Sequence, residues 1–370
     1  MIRNLFSFLG VMVLVFFLSG CFSSSNDEKE ETVTSYKIQN LSGGVARSVD
    51  NGITYEPFIS TTGGGNIKNI NIFSMQFSRS LGRSLYIGTE KNGLFKKTEL
   101  GDGWENISFP PIKLYGLEVF EVGALENPLM YVSGVLEGRA KIYKSSDGGK
   151  EWKEIYTEPA GDSVILSLAI HPKRPNIIYA STSEGIVIQS EDAGVTWKNI
   201  HTFSSPVMQL EFDNTNPDVL YVLLFENDIK VSRDGGRTFI EKDQQNRASN
   251  EEKKKTSLAS EKAYSLAVDP NRSGTVYVGT GNGLFRSIDY GMTWESVNII
   301  ESVSKEIIRA VAINPFSSEE IIFGAGSVIY KSTNRGESWQ TFQLDTKAMP
   351  VFIGFDPANQ GSIYVAFRSF

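Results

Sequence analysis

One eight-residue motif recurs along most of the chain and constrains its fold more than any other feature. Six copies follow the pattern Ser-x-Asp-x-Gly-x-Thr-aromatic with small variations, and they span residues 48–55, 145–152, 190–197, 232–239, 287–294 and 332–339. A shorter, damaged copy lies at 98–104. Successive copies begin 42 to 55 residues apart, and self-similarity at such a period is typical of repeat architectures. We therefore expect one small unit repeated around or along the fold.

Each copy is interpreted as a tight turn between two strands. The Asp carboxylate can accept hydrogen bonds from nearby backbone N–H groups, glycine supplies positive φ angles, and the closing aromatic ring fills space in a core. We interpret the following motif residues as structural: Asp50, Gly52, Asp147, Gly149, Trp152, Asp192, Gly194, Trp197, Asp234, Gly236, Phe239, Asp289, Gly291, Trp294, Asn334, Gly336 and Trp339. The alternative is an acidic set that binds calcium or performs catalysis. Because a catalytic site needs one unique constellation and this motif recurs, the structural interpretation is preferred.

The sequence around the motif predicts an all-β fold. An apolar strand, a Pro/Asn-rich turn and a second strand precede several copies, as in residues 166–182 and 264–280. Short strands and dense turn signals, without an amphipathic helical stretch, favour a repeat of four strands. After the last copy, residues 351–367 supply only two strands, and residues 43–58 supply a motif without its preceding pair of strands. We therefore predict that the two ends of the chain share one unit.

The motif resembles the Asp-box, or BNR repeat, of β-propellers. The resemblance implies a single seven-bladed β-propeller of four-stranded antiparallel blades, in which N- and C-terminal strands close the last blade. The predicted domain organisation is a lipoprotein signal peptide at 1–20, a lipidated flexible tether at 21–36 and the propeller at 37–370.

The first residues of the chain predict export and lipid attachment. Residues 5–18 are almost entirely apolar, and residues 18–21 read Leu-Ser-Gly-Cys, which resembles a bacterial lipobox. Cys21 is the only cysteine, and the polar residues 22–35 favour a flexible tether. The alternatives are a plain membrane anchor and a buried thiol. We expect lipid anchoring on the extracytoplasmic side of the bacterial cell envelope, at the outer membrane or the outer face of the cytoplasmic membrane.

Composition narrows the classes of partner. The formal net charge of −7 argues against nucleic-acid binding, because nucleic-acid-binding domains present basic surfaces. Only His171 and His201 are present, so no histidine-based metal site is predicted, and no cofactor is expected. We expect a monomer. Residues 240–263 form the longest connection, which is interpreted either as a disordered insertion or as a flap that contacts a partner.

Asp-boxes occur in sialidases, two-propeller xyloglucan hydrolases, sortilin-type receptor domains and photosystem II assembly factors. The chain lacks the Arg-Ile-Pro segment of sialidases, and its early arginines are Arg47, Arg79 and Arg83. Its length predicts one propeller, whereas xyloglucan hydrolases bind their glycan between two, and sortilin-type receptors have ten blades and a cysteine-rich appendix. In size, blade count and lipoprotein attachment the chain is most similar to the photosystem II assembly factors.

Strand order predicts where a partner would bind. The motif turns and the Pro/Asn turns are expected on one face of the ring, and the remaining turns and blade connections on the other. The second set varies in length and character, as functional loops on a repeated scaffold do. The favoured hypothesis is a non-enzymatic propeller that binds a protein or peptide, as a scaffold or assembly factor. The alternative is a carbohydrate-active or glycan-binding propeller that uses carboxylates on the same face.

Overall fold

The computed structural model describes residues 34–36, 41–78, 84–98, 103–110, 112–121, 127–159, 161–225, 228–240, 262–299 and 306–370. These residues form strands, turns and bends. Because they contain no helix, no membrane-spanning helix is present among them. The strands form seven sheets, arranged as the blades of a seven-bladed β-propeller. The predicted all-β, seven-bladed fold is confirmed.

Blades 1 to 3 are four-stranded antiparallel meanders. Blade 1 contains β4 (Ile72–Phe77), β5 (Ser84–Thr89), β6 (Leu94–Thr98) and β7 (Glu105–Ile107). Blade 2 contains β8 (Leu114–Phe120), β9 (Leu129–Leu136), β10 (Arg139–Ser145) and β11 (Lys153–Thr157). Blade 3 contains β12 (Ile165–Ile170), β13 (Ile178–Thr182), β14 (Ile186–Ser190) and β15 (Lys198–Thr202).

Blades 4 to 6 repeat this plan. Blade 4 contains β16 (Val207–Phe212), β17 (Leu220–Leu224) and β18 (Asp228–Ser232), and the Ile240 N–H donates to Val231 O where the other blades begin a fourth strand. Blade 5 contains β19 (Ala263–Val268), β20 (Val276–Thr280), β21 (Leu284–Ser287) and β22 (Glu295–Ser296). Blade 6 contains β23 (Ile308–Asn314), β24 (Ser317–Ala325), β25 (Val328–Ser332) and β26 (Gln340–Leu344).

Blade 7 closes the ring with strands from both ends of the chain. Its order is β27 (Met349–Phe355), β28 (Ile363–Arg368), β2 (Gly44–Ser48) and β3 (Glu56–Pro57). Antiparallel pairing of Val45 with Ala366 and Ser48 with Ile363 joins the two ends. The predicted shared blade is confirmed, and it leaves the ring without a free edge at the junction.

Strand β1 (Thr34–Tyr36) runs parallel to β26 at the outer edge of blade 6, with Thr34 beside Phe342 and Tyr36 beside Leu344. It occupies the last three residues of the segment predicted as a tether. The domain boundaries at 20 and 36 stay predictions.

A ring of buried aromatic side chains holds the blades together. The second strand of every blade contributes one aromatic residue that is at most 2 % exposed: Tyr86, Tyr131, Tyr179, Tyr221, Tyr277, Phe323 and Tyr364. Tyr179 shows how such a ring reaches the next blade, because its hydroxyl donates to Gly235 O in the blade 4 turn at 2.7 Å. Buried apolar area of this size is the main stabilising contribution in a fold without disulfides.

The two faces of the ring differ in their turns. The Asp-box turns bond to the first turn of the same blade: the Ala193 N–H donates to Asn176 O, and the Gly235 N–H donates to Asp218 O. We call this side the box face. Second turns and blade connections form the opposite side, which we call the loop face. The predicted division of the turns between two faces is thereby confirmed.

Two successive residues of each Asp-box adopt positive φ angles. The glycine does so as expected, and so does the residue before it, whether glycine, as at Gly148 and Gly235, or not, as at Asn51, Ala193, Tyr290 and Arg335. Ala193 has φ of 59°. A side chain in this left-handed conformation is strained, since Cβ crowds the neighbouring carbonyl.

We expect Ala193→Gly to raise the free energy of unfolding by about 0.5–1 kcal/mol, because relief of left-handed strain exceeds the added entropy of glycine in the unfolded chain. Urea-induced unfolding would measure the change. The same substitution at Ala180, in strand β13 and without a positive φ, should destabilise the protein. Destabilisation by Ala193→Gly would contradict the assignment of strain to this position.

Candidate binding site at the mouth of the central channel

The Asp-box carboxylates are occupied inside their own turns. In blade 3, the Ser190 hydroxyl donates to Asp192 Oδ1 and accepts from the Gly194 N–H, while the backbone and hydroxyl of Thr196 donate to the two Asp192 oxygens at 2.8 and 2.6 Å. These hydrogen bonds hold the pKa of Asp192 at about 2. The boxes at 48–55, 232–239 and 287–294 repeat the geometry. These aspartates lock turns, and their oxygens face their own backbone.

Two boxes depart from the consensus and keep the turn. Asp147 accepts from the N–H groups of Lys150 and Glu151, since no threonine follows it. Asn334 accepts from the Ser338 N–H and donates its amide to the Ser338 hydroxyl at 2.9 Å, so an Asn–Ser pair replaces the Asp–Thr pair.

The box aromatics are buried to different degrees. Trp294 and Trp339 are buried, whereas Trp152, Trp197 and Phe239 are half-buried. Each packs against a core cluster formed with a neighbouring blade. The predicted lipid attachment residue, Cys21, lies outside the described residues.

Seven β-bulges line the channel at the centre of the ring. In the first strand of every blade the register slips by one residue next to the loop face, so one residue has no partner on the second strand. The seven extra residues form what we call the bulge ring: Phe73, Tyr115, Leu166, Met208, Tyr264, Arg309 and Val351. All seven line the channel, whose volume is about 510 Å³. Bulges re-aim side chains in this way at the rims of sites.

Small residues allow the bulges to form. A Cβ at Gly279 would lie 2.4 Å from Ser265 Oγ, and one at Gly88 would lie 2.3 Å from Ser74 Oγ. The two serine hydroxyls, which occupy this space, bond to the next blade. Ser74 Oγ donates to Leu114 O, and Ser265 Oγ donates to Ile308 O at 3.0 Å. The bulge ring is therefore tied into the contacts between blades.

Aromatic rings and cations alternate around five blades of the mouth. Phe73 stacks edge-to-face on Tyr115, and the Arg368 guanidinium lies 4.7 Å from the centre of the Phe73 ring. Arg368 also lies 4.4 Å from the Phe370 ring, and Arg309 lies 4.8 Å from the same ring. The series continues to Tyr264, whose ring lies beside the Arg309 guanidinium. We call these six residues the cationic arc: Tyr115, Phe73, Arg368, Phe370, Arg309 and Tyr264. Blades 3 and 4 complete the bulge ring with Leu166 and Met208, the latter 38 % exposed.

The two guanidiniums of the cationic arc share no carboxylate. Within the described residues, neither Arg309 nor Arg368 forms an ion pair, whereas the neighbouring Lys113 pairs with Glu90 at 3.4 Å. Burial and then the charge of Arg309 lower the pKa of Arg368, which nonetheless stays protonated at neutral pH. Two guanidiniums that form no ion pair in the described structure, beside aromatic rings, can bind an anion by charge-assisted hydrogen bonds.

Below the bulge ring the channel wall is apolar and then acidic. Leu117, Leu168 and Leu210 form part of the apolar layer. Glu118, which is 3 % exposed, and Glu211 line the channel one residue further along their strands. Within the described part of the chain, no group of three or more His, Cys, Asp or Glu residues could hold a metal ion.

Sequence reasoning missed the bulge ring and the cationic arc. The ring members share no residue type, so they leave no repeat signal. One sequence signal could have indicated the bulges: a small residue follows five of the seven ring members, as in Phe73-Ser74 and Arg309-Ala310. Arg79 and Arg83 lie outside the described residues. Arg47 lies in β2 and pairs with Glu56 at 2.6 Å.

Seven antiparallel blades, Asp-box turns on one face and a lined central channel define an Asp-box β-propeller. A family model for Sortilin-Vps10, described as "Sortilin, neurotensin receptor 3", matches residues 140–276 and 282–368, more than half of the chain. The chain therefore belongs to the Sortilin-Vps10 family.

Individual relatives share parts of the chain or its fold. The xyloglucanase Xgh74A of Acetivibrio thermocellus is 29% identical in an alignment of 181 residues. The alignment covers 45% of this chain and 17% of that enzyme. A GH74 xyloglucanase structure from Xanthomonas campestris superposes with a TM-score of 0.63 at 15% identity, covering 80% of this chain and 50% of that one. The structure of YCF48 bound to D1 peptide superposes with a TM-score of 0.56 at 14% identity, covering 81% and 93%. At these identities the structural similarities concern the fold.

Proposed function

We propose that the protein is a non-enzymatic propeller that binds a peptide segment of a partner protein at the mouth of its central channel. The observation that carries the proposal is the pair of guanidiniums, Arg309 and Arg368, without an ion-pair partner in the described structure. A carboxylate of the peptide has two oxygens, and these would accept hydrogen bonds from the two guanidiniums. Phe73 and Tyr264 would cover neighbouring apolar side chains of the peptide. The YCF48 complex supports the proposal, because a propeller of the same fold there holds a peptide.

The second part of the proposal is attachment to a membrane through lipidated Cys21, on the extracytoplasmic side of a bacterial envelope. It is supported by the lipobox-like residues 18–21 and by the absence of a second cysteine. Intact-mass spectrometry of the protein extracted from membranes would detect the diacylglyceryl group. Cys21→Ala should release the protein from the membrane fraction, and membrane retention of this variant would contradict lipid anchoring.

A peptide-display library tests the peptide-binding site. Random peptides selected on the wild-type protein should be enriched in Asp and Glu, and their affinity should fall with added salt. The Arg309→Ala/Arg368→Ala variant should bind the selected peptides at least about tenfold more weakly, because it loses charge-assisted hydrogen bonds. Arg139→Ala, an exposed arginine on the loop face, is the matched control and should bind like the wild type. Unchanged affinity in the double variant would refute the site.

A second candidate function is glycan hydrolysis in the channel. It is favoured by Glu118 and Glu211 in the channel wall, because glycoside hydrolases use two carboxylates. The named activity of Xgh74A makes xyloglucan the first substrate to test. Hydrolysis by the wild type that is lost in Glu118→Gln and in Glu211→Gln would establish this function. Absence of product with the wild type would leave peptide binding as the working function.

A further inference from the structure

Exposed apolar side chains cluster on one sector of the box face. Five side chains, between 43 and 68 % exposed, project from turns of three successive blades. They form what we call the apolar rim: Ile288 and Met292 in blade 5, Phe316 in blade 6, and Val49 and Ile53 in blade 7. An apolar cluster of this kind marks a surface that contacts something other than water.

The matching positions of the remaining described boxes are mostly polar. Four of the five rim residues occupy the second or sixth place of an Asp-box, and both places are exposed in the described boxes. Blade 2 has Ser146 and Lys150 there, blade 4 has Arg233 and Arg237, and blade 6, within the sector, has Thr333 and Glu337. Val195 in blade 3 is the exception, and its box partner is Glu191. The apolar box positions are thus concentrated in blades 5 and 7, with Phe316 of blade 6 between them.

Hydrogen bonds tie the turns of the apolar rim together. The Asn271 side-chain amide in blade 5 donates to Pro315 O, next to Phe316, at 3.0 Å. The buried Lys331 of blade 6 donates to Asn51 O, between Val49 and Ile53, at 2.6 Å. The rim is therefore presented as one fixed surface.

Strand β1 begins on the same side of the ring as the apolar rim. Strand β26 leads away from its Asp-box toward the loop face, and β1 runs parallel to it. The chain therefore reaches Thr34 from the box side of blade 6, the middle blade of the sector. Thr34 follows Cys21 by thirteen positions in the sequence. A chain of that length reaches at most about 45 Å.

We propose that the apolar rim rests on the lipid surface in which Cys21 is anchored. The box face then lies toward the membrane, and the loop face, with the cationic arc, points away from it toward a partner. This inference rests on the proposed lipid attachment. Apolar side chains at a membrane interface would supplement a single lipid anchor.

Site-specific fluorescence quenching tests this orientation with the full-length protein. Acylation of Cys21 consumes the only native thiol, so an introduced cysteine is unique. Ile288→Cys and Phe316→Cys would be labelled with bimane and placed in phosphatidylethanolamine–phosphatidylglycerol vesicles containing doxyl-labelled lipid. Val195→Cys, on the box face outside the sector, and Met208→Cys, at the channel mouth, are matched exposed controls. Thermal unfolding and mass spectrometry would confirm that each variant is folded and acylated.

The expected result is strong quenching at positions 288 and 316, at least about threefold above that at 195 and 208. Equal, low quenching at all four positions of acylated protein would overturn the membrane contact. Strong quenching at 208 would reverse the orientation and also overturn it. If mass spectrometry finds no acyl group, the proposed lipid attachment fails, and the inference about the rim fails with it.

Discussion

Replacing Trp104 with alanine should lower the free energy of unfolding by about 3–5 kcal/mol, the range for removing a large aromatic side chain from a core. Trp104 is completely buried, although it ends the damaged motif copy. Its Nε1–H donates to Phe58 O at 2.8 Å, and its ring contacts Phe58 at a centroid distance of 5.5 Å. The variant would leave a cavity at the junction of blades 7 and 1 and a buried carbonyl without its donor.

Trp197→Ala is the matched control for this prediction, because Trp197 holds the same place in an intact box. Its ring is half-buried, and its Nε1–H has no hydrogen-bond partner among the described residues. Its replacement should cost about 1–2 kcal/mol, in proportion to the smaller area it buries. Urea-induced unfolding of both variants would measure the difference. Equal losses would show that burial does not decide the importance of the box aromatic.

Gly149→Ala should destabilise the protein by about 2–4 kcal/mol. Gly149 has φ of 91°, and an added Cβ would lie 2.5 Å from Ile107 Cγ2 in the preceding blade. The loss combines left-handed strain with overpacking between blades. The box glycine therefore serves both the turn and the blade interface. Gly194 and Gly336 are similar, with Cβ positions 2.4 Å from Ile155 and Val297.

The adjacent Gly148 separates the two effects. It also has a positive φ, of 78°, but the nearest atom to an added Cβ is Pro128 Cδ at 3.5 Å, an ordinary contact. Gly148→Ala should therefore cost only about 0.5–1 kcal/mol, from backbone strain alone. The Ile107→Ala/Gly149→Ala double variant should lose less stability than the sum of the two single variants, because Ile107→Ala removes the clash. Additive losses in the double variant would contradict the proposed contact.

The cationic arc and the apolar rim assign different roles to the two faces. The arc contains two guanidiniums without an ion pair in the described structure on the loop face, and the rim contains five exposed apolar side chains on the box face. The display experiment varies arginines of the loop face, and the quenching experiment compares positions of the box face with Met208 at the channel mouth.

Local repeats in the sequence were sufficient to predict the fold. The Asp-box residues bond within eight residues of each other, so each copy carries its own turn wherever it stands in the chain. Because that geometry is local and recurs, strand order, blade number and the closure of blade 7 could be read from spacing. The positive φ of the residue before the glycine, as at Ala193, was missed because side chains as different as Asn, Ala, Tyr and Arg occupy it.

The candidate site could be recognised only in the folded protein. Arg309 and Arg368 belong to different blades and meet at Phe370, while Tyr115 and Tyr264 come from blades on other sides of the channel. These residues carry no repeat, since each blade supplies one bulged side chain of its own type. The scaffold was predictable from the sequence because its contacts are local and periodic. The site depended on folding because ring closure alone brings together side chains that are tens to hundreds of residues apart.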